Sequence, residues 1–264
     1  TPLGLIVLFI YIYRTILSNN KFNLVLIGAG QLGCRHFESL KCIKVAIEIF
    51  VVDVSAEALR GARNTAELLQ DNELIKNIYF LTSYDDLPKH IDILIIATNA
   101  NVRYGILNEV SKDRVIKYSI LEKVLFQSEY DFFQAKELIA KCNIKTWVNC
   151  PRRLYTYYQY IKNELSANSG QAPVYGVLSG SDWSMGSNAI HYIDGFAFLV
   201  QCDEYVIDVS GLDKSVLKSK RAGYLEITGI MIARFANGSV LTLSSQQNSS
   251  ERVHFTIVKG GVTI

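Results

Sequence analysis

The chain has 264 residues, which is enough for one large domain or two modest ones. Hydrophobic residues make up 49% and charged residues 20%, so the chain can form a packed core and is not disordered as a whole. The 27 basic residues nearly balance the 25 acidic ones, and this balance argues against a nucleic-acid-binding protein.

Residues 1–20 form an apolar extension before the first regular pattern. The run from Leu3 to Tyr13 is shorter than the roughly 20 apolar residues that a spanning helix needs. It lacks a basic flank and a small-residue cleavage site, so it fits a signal peptide poorly. The alternatives are a short membrane anchor, an extra packed element and sequence outside the natural domain, and we favour the last two. The strand-like ending is consistent with a chain truncated at its C-terminus.

The five cysteines form no CxxC pair, and their number and spacing match no zinc pattern. We therefore expect reduced thiols, no metal site and a cytoplasmic protein.

From residue 21, patterns of buried strands alternate with helical patterns. This alternation predicts a doubly wound parallel sheet, that is, a dinucleotide-binding Rossmann domain over residues 21–150. The predicted strands are residues 22–30, 45–53, 77–83, 90–98, 114–123 and 144–150. The predicted helices are residues 31–40, 55–70 (with Ser55 as its cap), 101–112 and 128–142.

After Pro151 the pattern changes to successive strands with fewer helices. We predict an α+β domain over residues 151–264 with an open, mostly antiparallel sheet. The Asn237-Gly238 pair between two apolar runs indicates a hairpin. The predicted helices are residues 152–165 and 187–200, and the predicted strands are 172–181, 205–212, 224–235, 239–247 and 252–261.

A G-x-G-x-x-G pattern lies between the first predicted strand and the first predicted helix. This context predicts that a dinucleotide binds there, because glycines permit a tight turn, a close approach to a diphosphate and close packing of helix on strand. The alternative is a glycine turn without a ligand. The expected cofactor-binding residues are Gly28, Ala29, Gly30, Gln31, Leu32 and Gly33.

Asp53 ends the second predicted strand, 25 residues after Gly28. An acid near this position accepts hydrogen bonds from the adenosine ribose hydroxyls and repels a 2′-phosphate. We therefore expect NAD as the cofactor, with NADP as the other option. The alternative is an aspartate that caps a helix.

Glu122 and Lys123 end the predicted strand at 114–123, where ligands of open α/β sheets bind. An exposed lysine at a strand end is the alternative. His191 lies on an apolar helical pattern, where a histidine is more often packed in the core than placed as a proton carrier beside a substrate.

These motifs occur in an order that resembles the Gfo/Idh/MocA oxidoreductases, the family of glucose–fructose oxidoreductase and inositol dehydrogenase. The resemblance covers roughly residues 22–264 and includes the glycine pattern and Asp53. The other matching segments are Ala-Thr-Asn at 97–99, Glu-Lys at 122–123, Asn-Cys-Pro-Arg-Arg at 149–153 and His-Tyr-Ile-Asp at 191–194.

The resemblance implies an NAD(P)-dependent dehydrogenase or reductase that acts on a CH–OH group of a sugar, cyclitol or sugar-nucleotide-like substrate. It implies that His191 is the acid/base and that Lys123 contacts the substrate and the nicotinamide ribose. Thr98, Asn99, Glu122 and Lys123 join the expected cofactor-binding residues. It also implies homo-oligomers that form through the C-terminal sheet.

The chain departs from the family pattern at four positions. Val124 replaces the proline of the E-K-P motif, and Asn99 and Arg103 replace the proline and histidine of T-P-x-x-x-H. Ser187 replaces the first acid of D-x-x-x-H-x-x-D. We expect substrate contacts from Arg103, Arg152, Arg153, Ser187 and Asp194. These departures leave an alternative open, namely an inactive sensor or partner subunit that binds a dinucleotide or sugar without turnover.

Overall fold

A computed structural model describes residues 21–67, 72–167, 170, 172–219, 223–247, 249–260 and 262–263. The apolar extension at 1–20 and the end of the predicted helix at 55–70 lie outside the described residues. Within the described part, no helix has both the length and the apolar character needed to cross a bilayer. The chain divides into two compact units, the first ending at Asn149 and the second beginning at Cys150.

The first unit alternates strands and helices along the chain. Its elements are β1 (Phe22–Ile27), α1 (Gln31–Ser39), a 3-10 turn (Leu40–Cys42), β2 (Ile47–Val52), α2 (Ala56–Glu67), β3 (Ile75–Leu81), β4 (His90–Ile96), α3 (Ala100–Ser111), β5 (Val115–Leu121), α4 (Glu129–Lys141) and β6 (Lys145–Val148).

These six strands form one sheet in the order β3-β2-β1-β4-β5-β6, and every neighbouring pair is parallel. The strand order reverses between β1 and β4. Open α/β sheets bind ligands at such a switch point, beyond the carboxyl ends of the strands. The predicted Rossmann architecture is therefore confirmed.

Hydrophobic cores lie on both faces of this sheet because successive side chains of a strand point to opposite faces. Leu24 and Leu26 of β1 belong to a buried cluster that includes residues of α1 and α2. Val25 and Ile27 belong to a second cluster that includes residues of α3 and α4. Burial on both faces explains why β1 reads as a continuous apolar run rather than an alternating one.

The second unit begins with a 3-10 turn and contains two helices and a mixed sheet. Its elements are the turn Pro151–Leu154, α5 (Thr156–Ala167), β7 (Tyr175–Ser181), α6 (Met185–Val200), β8 (Tyr205–Asp208), β9 (Leu217–Lys218), β10 (Leu225–Glu226), β11 (Gly229–Phe235), β12 (Val240–Gln246), β13 (His254–Lys259) and β14 (Val262–Thr263).

The larger sheet of this unit has the order β14-β13-β7-β12-β11-β8. Its pairs are antiparallel except for β7 with β12, which are parallel, so the predicted mostly antiparallel sheet is confirmed. Leu178 of β7 and Leu241 of β12 share a core with Phe196 of α6 and Tyr158 of α5. The helices therefore cover one face of the sheet.

Two predicted elements differ from the structure. The strand predicted at 224–235 is interrupted, because Gly229 adopts a φ of 105° and a Cβ there would lie 2.6 Å from the Asp213 amide nitrogen. Its first part, β10, pairs instead with β9 in a separate two-stranded ribbon. The helix predicted at 152–165 begins as the 3-10 turn, and α5 starts only at Thr156.

Candidate active site

The turn between β1 and α1 requires glycine at two positions. Gly28 has a φ of 97°, in the left-handed region that favours glycine. A Cβ on Gly33 would lie 1.8 Å from the carbonyl oxygen of Gly28, so no other residue fits without moving the backbone. Gly33 thereby lets the start of α1 pack directly on the turn at the switch point.

The start of α1 suits an anion. Gly30 is the N-cap and forms no side-chain cap, and the first turn of α1 contains no acidic residue. A Cβ on Gly30 would meet nothing within 4 Å, so the main chain is open to a ligand there. Gln31 and Leu32 are exposed beside it. Amide groups and the helix dipole at such an end fit the diphosphate of a dinucleotide.

Asp53 follows β2 and its carboxylate reaches the glycine turn. Asp53 Oδ2 accepts a hydrogen bond from the Ala29 amide at 2.7 Å, and Oδ1 accepts one from the Ser55 amide at 2.8 Å. Ser55, as predicted, caps α2 by accepting a hydrogen bond from Ala58. Asp53 is thus not the side-chain cap of α2, and its half-buried carboxylate lies beside the turn, where a ribose hydroxyl would be recognised.

Glu122 lies just beyond β5 with its carboxylate buried in a polar network. Glu122 Oε1 lies 2.6 Å from His36 Nε2 of α1 and also accepts a hydrogen bond from the Asn149 side chain. Burial opposes its ionisation, but the hydrogen bond and charge of His36, together with Asn149, hold the pKa of Glu122 below its ordinary value. Glu122 therefore connects three segments of the first unit rather than pointing into solvent.

Arg103 does not have the position that we expected for a substrate contact. Its side chain is 2% exposed, and its guanidinium donates hydrogen bonds at 2.6 Å to the carbonyl oxygens of Glu122 and Val124. It also donates to the carbonyls of Leu125 and Thr98. A guanidinium enclosed by carbonyl oxygens fastens the loops after β4 and β5 together, and this placement favours a structural role.

The remaining expected residues of the first unit lie at the carboxyl end of its sheet. Thr98 and Asn99 follow β4, and a Cβ on Gly28 would lie 3.0 Å from Thr98 Cγ2, so the glycine turn and the β4 loop are neighbours. Lys123 is half-buried directly after Glu122. The peptide bond between Lys123 and Val124 is cis.

Helix α6 of the second unit carries His191 and two other expected site residues, Ser187 and Asp194. Ser187 and His191 are separated by one helical turn and are both half-buried. Asp194 pairs with Arg153, whose Nε donates to both carboxylate oxygens at 2.9 and 2.8 Å. The hydrogen bond that Arg153 donates to Asp194 raises the pKa of Arg153 despite partial burial. Arg153 and Asp194 therefore neutralise each other, and the pair attaches α6 to the 3-10 turn at 151–154.

Ser187 contacts a carboxylate that the sequence alone did not indicate. Ser187 Oγ donates a hydrogen bond to Glu226 Oε1 at 2.6 Å, and the Ser187 amide donates to Oε2 at 3.3 Å. Glu226 belongs to β10 and is 8% exposed. A carboxylate therefore lies at the first turn of α6, although the helix itself contributes no acid there.

Arg152 borders a cavity of about 340 Å³ in the second unit. Its guanidinium carbon lies 3.9 Å from the centre of the Tyr192 ring, a cation–π distance. Tyr157 and Tyr158 also line this cavity, and burial raises the pKa of Tyr158 to about 12, so its hydroxyl stays protonated. The cavity thus combines one cation with aromatic walls, which suits an anionic group on a ligand.

Two residues of these networks, His36 and Glu226, were missed from the sequence. His36 has a local signal, since it follows Gly33 by three residues and so lies one turn further along α1. Asn149 was noted only as part of a motif. Glu226 had no local signal, because its partner Ser187 is 39 residues away in the chain.

No protein-family model matches the sequence, and no curated protein sequence matches it either. Solved structures do match. The chain is similar to myo-inositol dehydrogenase from Lactobacillus casei in complex with NAD(H) and myo-inositol, with 17% identity, a TM-score of 0.66, and coverage of 93% of this chain and 74% of that chain. It is also similar to the WlbA dehydrogenase from Bordetella pertussis in complex with NADH and UDP-GlcNAcA, with 15% identity, a TM-score of 0.67, and coverage of 92% and 77%.

A third match is a probable dehydrogenase from Thermotoga maritima, with 18% identity, a TM-score of 0.66, and coverage of 92% of this chain and 74% of that chain. At these identities the similarity establishes the fold. The chain therefore shares the fold of these dehydrogenases, a Rossmann unit followed by a unit with an open mixed sheet.

Proposed function

We propose that the protein is an NAD-dependent oxidoreductase of the Gfo/Idh/MocA type that acts on a hydroxyl-bearing carbon of a sugar, cyclitol or sugar nucleotide. The observation that carries this proposal is the glycine turn at the switch point of the sheet, with the Asp53 carboxylate 2.7 Å from the Ala29 amide. This is the arrangement that a dinucleotide requires, with the diphosphate at the uncapped start of α1 and the ribose beside an acid.

NAD, when bound, accepts the hydride in oxidation and supplies it in reduction. Gly28 to Gly33 and Asp53 would hold its diphosphate and ribose, and Thr98, Asn99 and Glu122 belong to the same edge of the sheet. Because Asp53 is an acid and would repel a 2′-phosphate, we propose NAD rather than NADP as the preferred cofactor.

His191 and Lys123 perform the proton chemistry in this proposal. His191 takes the proton of the substrate hydroxyl in oxidation and returns it in reduction, because an imidazole exchanges protons near neutral pH. The proposed role of Lys123 is to donate a hydrogen bond to the substrate and so to stabilise negative charge that develops on an oxygen atom. Arg152, beside its tyrosine-lined cavity, is the proposed contact for an anionic substrate group.

The substrate class is supported by the fold and by the matched structures. The Lactobacillus casei enzyme is described with myo-inositol, and the Bordetella pertussis enzyme with UDP-GlcNAcA. Both ligands carry adjacent hydroxyl groups on a six-membered ring. We therefore propose a ring polyol or a sugar that bears such hydroxyls.

Turnover assays test the proposal directly. The protein is mixed with NAD and a panel of cyclitols, sugars, sugar acids and UDP-sugars, and the absorbance of the reduced cofactor is followed. NADH binding is measured separately by fluorescence. We expect NADH binding and turnover of at least one ring polyol. NADH binding without turnover on any member of the panel would favour the sensor alternative.

The variant His191→Ala assigns the acid/base. We expect it to abolish turnover and to leave NADH binding intact, because the proposed nucleotide contacts are in the first unit. The matched control is His254→Ala, which removes an exposed histidine of β13 from the same unit. Loss of NADH binding in His191→Ala would contradict the assignment.

We also propose that the protein forms homo-oligomers through the uncovered face of the larger sheet. This face exposes apolar side chains, including Tyr175, Val177 and Ile230, which are 53%, 47% and 45% exposed. Size-exclusion chromatography with light scattering tests this, and Val177→Lys should shift the protein towards the monomer.

A further inference from the structure

The Glu226 carboxylate is buried at the start of α6 without a cationic partner among the described residues. Its two oxygens accept the hydrogen bonds from the Ser187 hydroxyl and amide at 2.6 and 3.3 Å. A Cβ on Gly186 would lie 2.9 Å from Glu226 Oε2, so the absence of a side chain at Gly186 makes room for this carboxylate.

Part of this arrangement is explained by helix capping. The N-cap residue Ser184 has a left-handed backbone and makes no side-chain cap, so Glu226 takes over one of the amides at the start of the helix. A cap requires only a hydrogen-bond acceptor. Glutamine at position 226 could serve that purpose, so capping alone does not explain a buried charge.

The location of the charge relative to His191 suggests a second role. Ser187 and His191 lie four residues apart on one face of α6, where side chains are neighbours at about 5–6 Å between Cβ atoms. Glu226 binds the Ser187 hydroxyl on this face. Glu226 therefore binds the residue one helical turn before His191, and in a partly buried setting a nearby carboxylate interacts with an imidazolium more strongly than it would in water.

We propose that Glu226 is a positioning residue for His191, supplying from β10 the carboxylate that α6 lacks. The inference rests on the proposed function. When the substrate C–H and O–H bonds break and the C=O bond forms, the hydride goes to NAD and the proton goes to His191. The Glu226 carboxylate balances the resulting imidazolium and, through Ser187, fixes the first turn of the helix that carries it.

This assignment accounts for the departure at Ser187. The resembling oxidoreductases carry an aspartate at this position of the helix, and a serine cannot ionise. The short hydrogen bond from Ser187 to Glu226 returns a negative charge to the same turn from a different strand. Ser187 then binds the Glu226 carboxylate, and the replacement of the aspartate by serine does not remove the negative charge from this turn.

Four variants test the assignment with NAD and whichever ring polyol the wild type turns over: Glu226→Gln, Ser187→Asp, the double variant Ser187→Asp/Glu226→Gln, and Asp208→Asn. The last is the matched control, because it also removes a carboxylate charge from the second unit, where Asp208 binds Ser210. Measurements are kcat, KM for the polyol, NADH binding and thermal unfolding.

We expect Glu226→Gln to lower kcat by on the order of tenfold, with KM and NADH binding little changed, because the imidazolium forms only during reaction. The double variant should recover most of this loss, since its carboxylate is on the helix. Asp208→Asn should keep the wild-type kcat. If Glu226 were only a helix cap, its loss would not lower kcat while leaving KM unchanged. Nor would a carboxylate moved to position 187 restore kcat.

An unchanged kcat in Glu226→Gln would overturn the inference while the proposed function stands. A wild type that turns over no substrate would overturn both. If Glu226→Gln does not fold, Ser187→Asp carries the test, because Glu226 should repel the added carboxylate and lower stability without raising kcat. A raised kcat in Ser187→Asp would show that the charge was missing, and would overturn the inference.

Discussion

His36 Nε2 and Glu122 Oε1 lie 2.6 Å apart in the interior of the first unit, although the residues are 86 positions apart in sequence. Their hydrogen bond joins the helix that follows the glycine turn to the backbone that carries Lys123. Two elements with proposed roles in cofactor and substrate binding are therefore tied together by one buried contact.

The lowered pKa of Glu122 makes the stability of the first unit sensitive to acid. A carboxyl group whose pKa is lower when folded contributes stability above its ordinary pKa of 4.5, and this contribution is lost as the pH falls further. We expect the stability difference between wild type and Glu122→Gln to be constant near neutral pH and to shrink below about pH 4.5. Urea unfolding across this range measures it. The control is Glu137→Gln at an exposed position of α4, and parallel acid curves for wild type and Glu122→Gln would contradict the expectation.

Arg103 should not tolerate lysine. A lysine cannot donate to four separate carbonyl oxygens with the geometry of a guanidinium. We expect Arg103→Lys to lower the free energy of unfolding by about 2–4 kcal/mol, because buried carbonyls lose their donors. Arg60→Lys at an exposed site of α2 should change it by less than about 0.5 kcal/mol. Equal unfolding free energies for the Arg103 variant and wild type would refute the structural role.

Substitutions at two glycines of the turn should distinguish an effect on folding from an effect on cofactor binding. Gly33→Ala places a Cβ 1.8 Å from the Gly28 oxygen and should destabilise the unit by about 2–4 kcal/mol. Gly30→Ala meets no atom within 4 Å and should fold normally, but it should weaken NADH binding because a methyl group occupies the approach to the diphosphate. Fluorescence titration and thermal unfolding distinguish the two. Unweakened NADH binding by Gly30→Ala would place the diphosphate elsewhere.

The Arg153–Asp194 pair should be energetically coupled. In a double-mutant cycle with Arg153→Gln and Asp194→Asn, we expect a coupling of about 1–2 kcal/mol, limited by the partial exposure of Arg153. The surface pair Lys89–Asp113 is the control and should couple more weakly. Additive effects in the first cycle would mean that the pair does not hold α6 to the 3-10 turn.

The sequence was informative wherever one local pattern determines the structure. The continuous apolar run of β1 followed by glycines predicted both the strand and the turn, because burial on two faces leaves no polar alternation. The sequence was misleading at 224–235, where the apolar pattern continues through Gly229 although the strand is interrupted before that residue, which has a positive φ. Hydrophobic periodicity records burial, and it does not record which neighbouring strand a segment pairs with.

The candidate site was likewise predictable only where a local sequence motif determines the position of a residue. Residues fixed by a short motif, such as Gly28 and Gly33, lie where the pattern predicted. The partners of Ser187 and Glu122 come from distant segments, so only the folded chain brings them together. Arg103 was predicted to contact the substrate because of its positive charge. Its partners in the structure are backbone carbonyls, which no sequence pattern of side chains identifies.

The enclosure of Arg103 has a consequence for how the first unit responds to ligands. Because one guanidinium binds Thr98 on one loop and Glu122, Val124 and Leu125 on the other, a single side chain holds these loops to each other. A ligand that moves the segment after β4 away from the segment after β5 would have to break these hydrogen bonds, so the Arg103 guanidinium resists independent movement of the two loops.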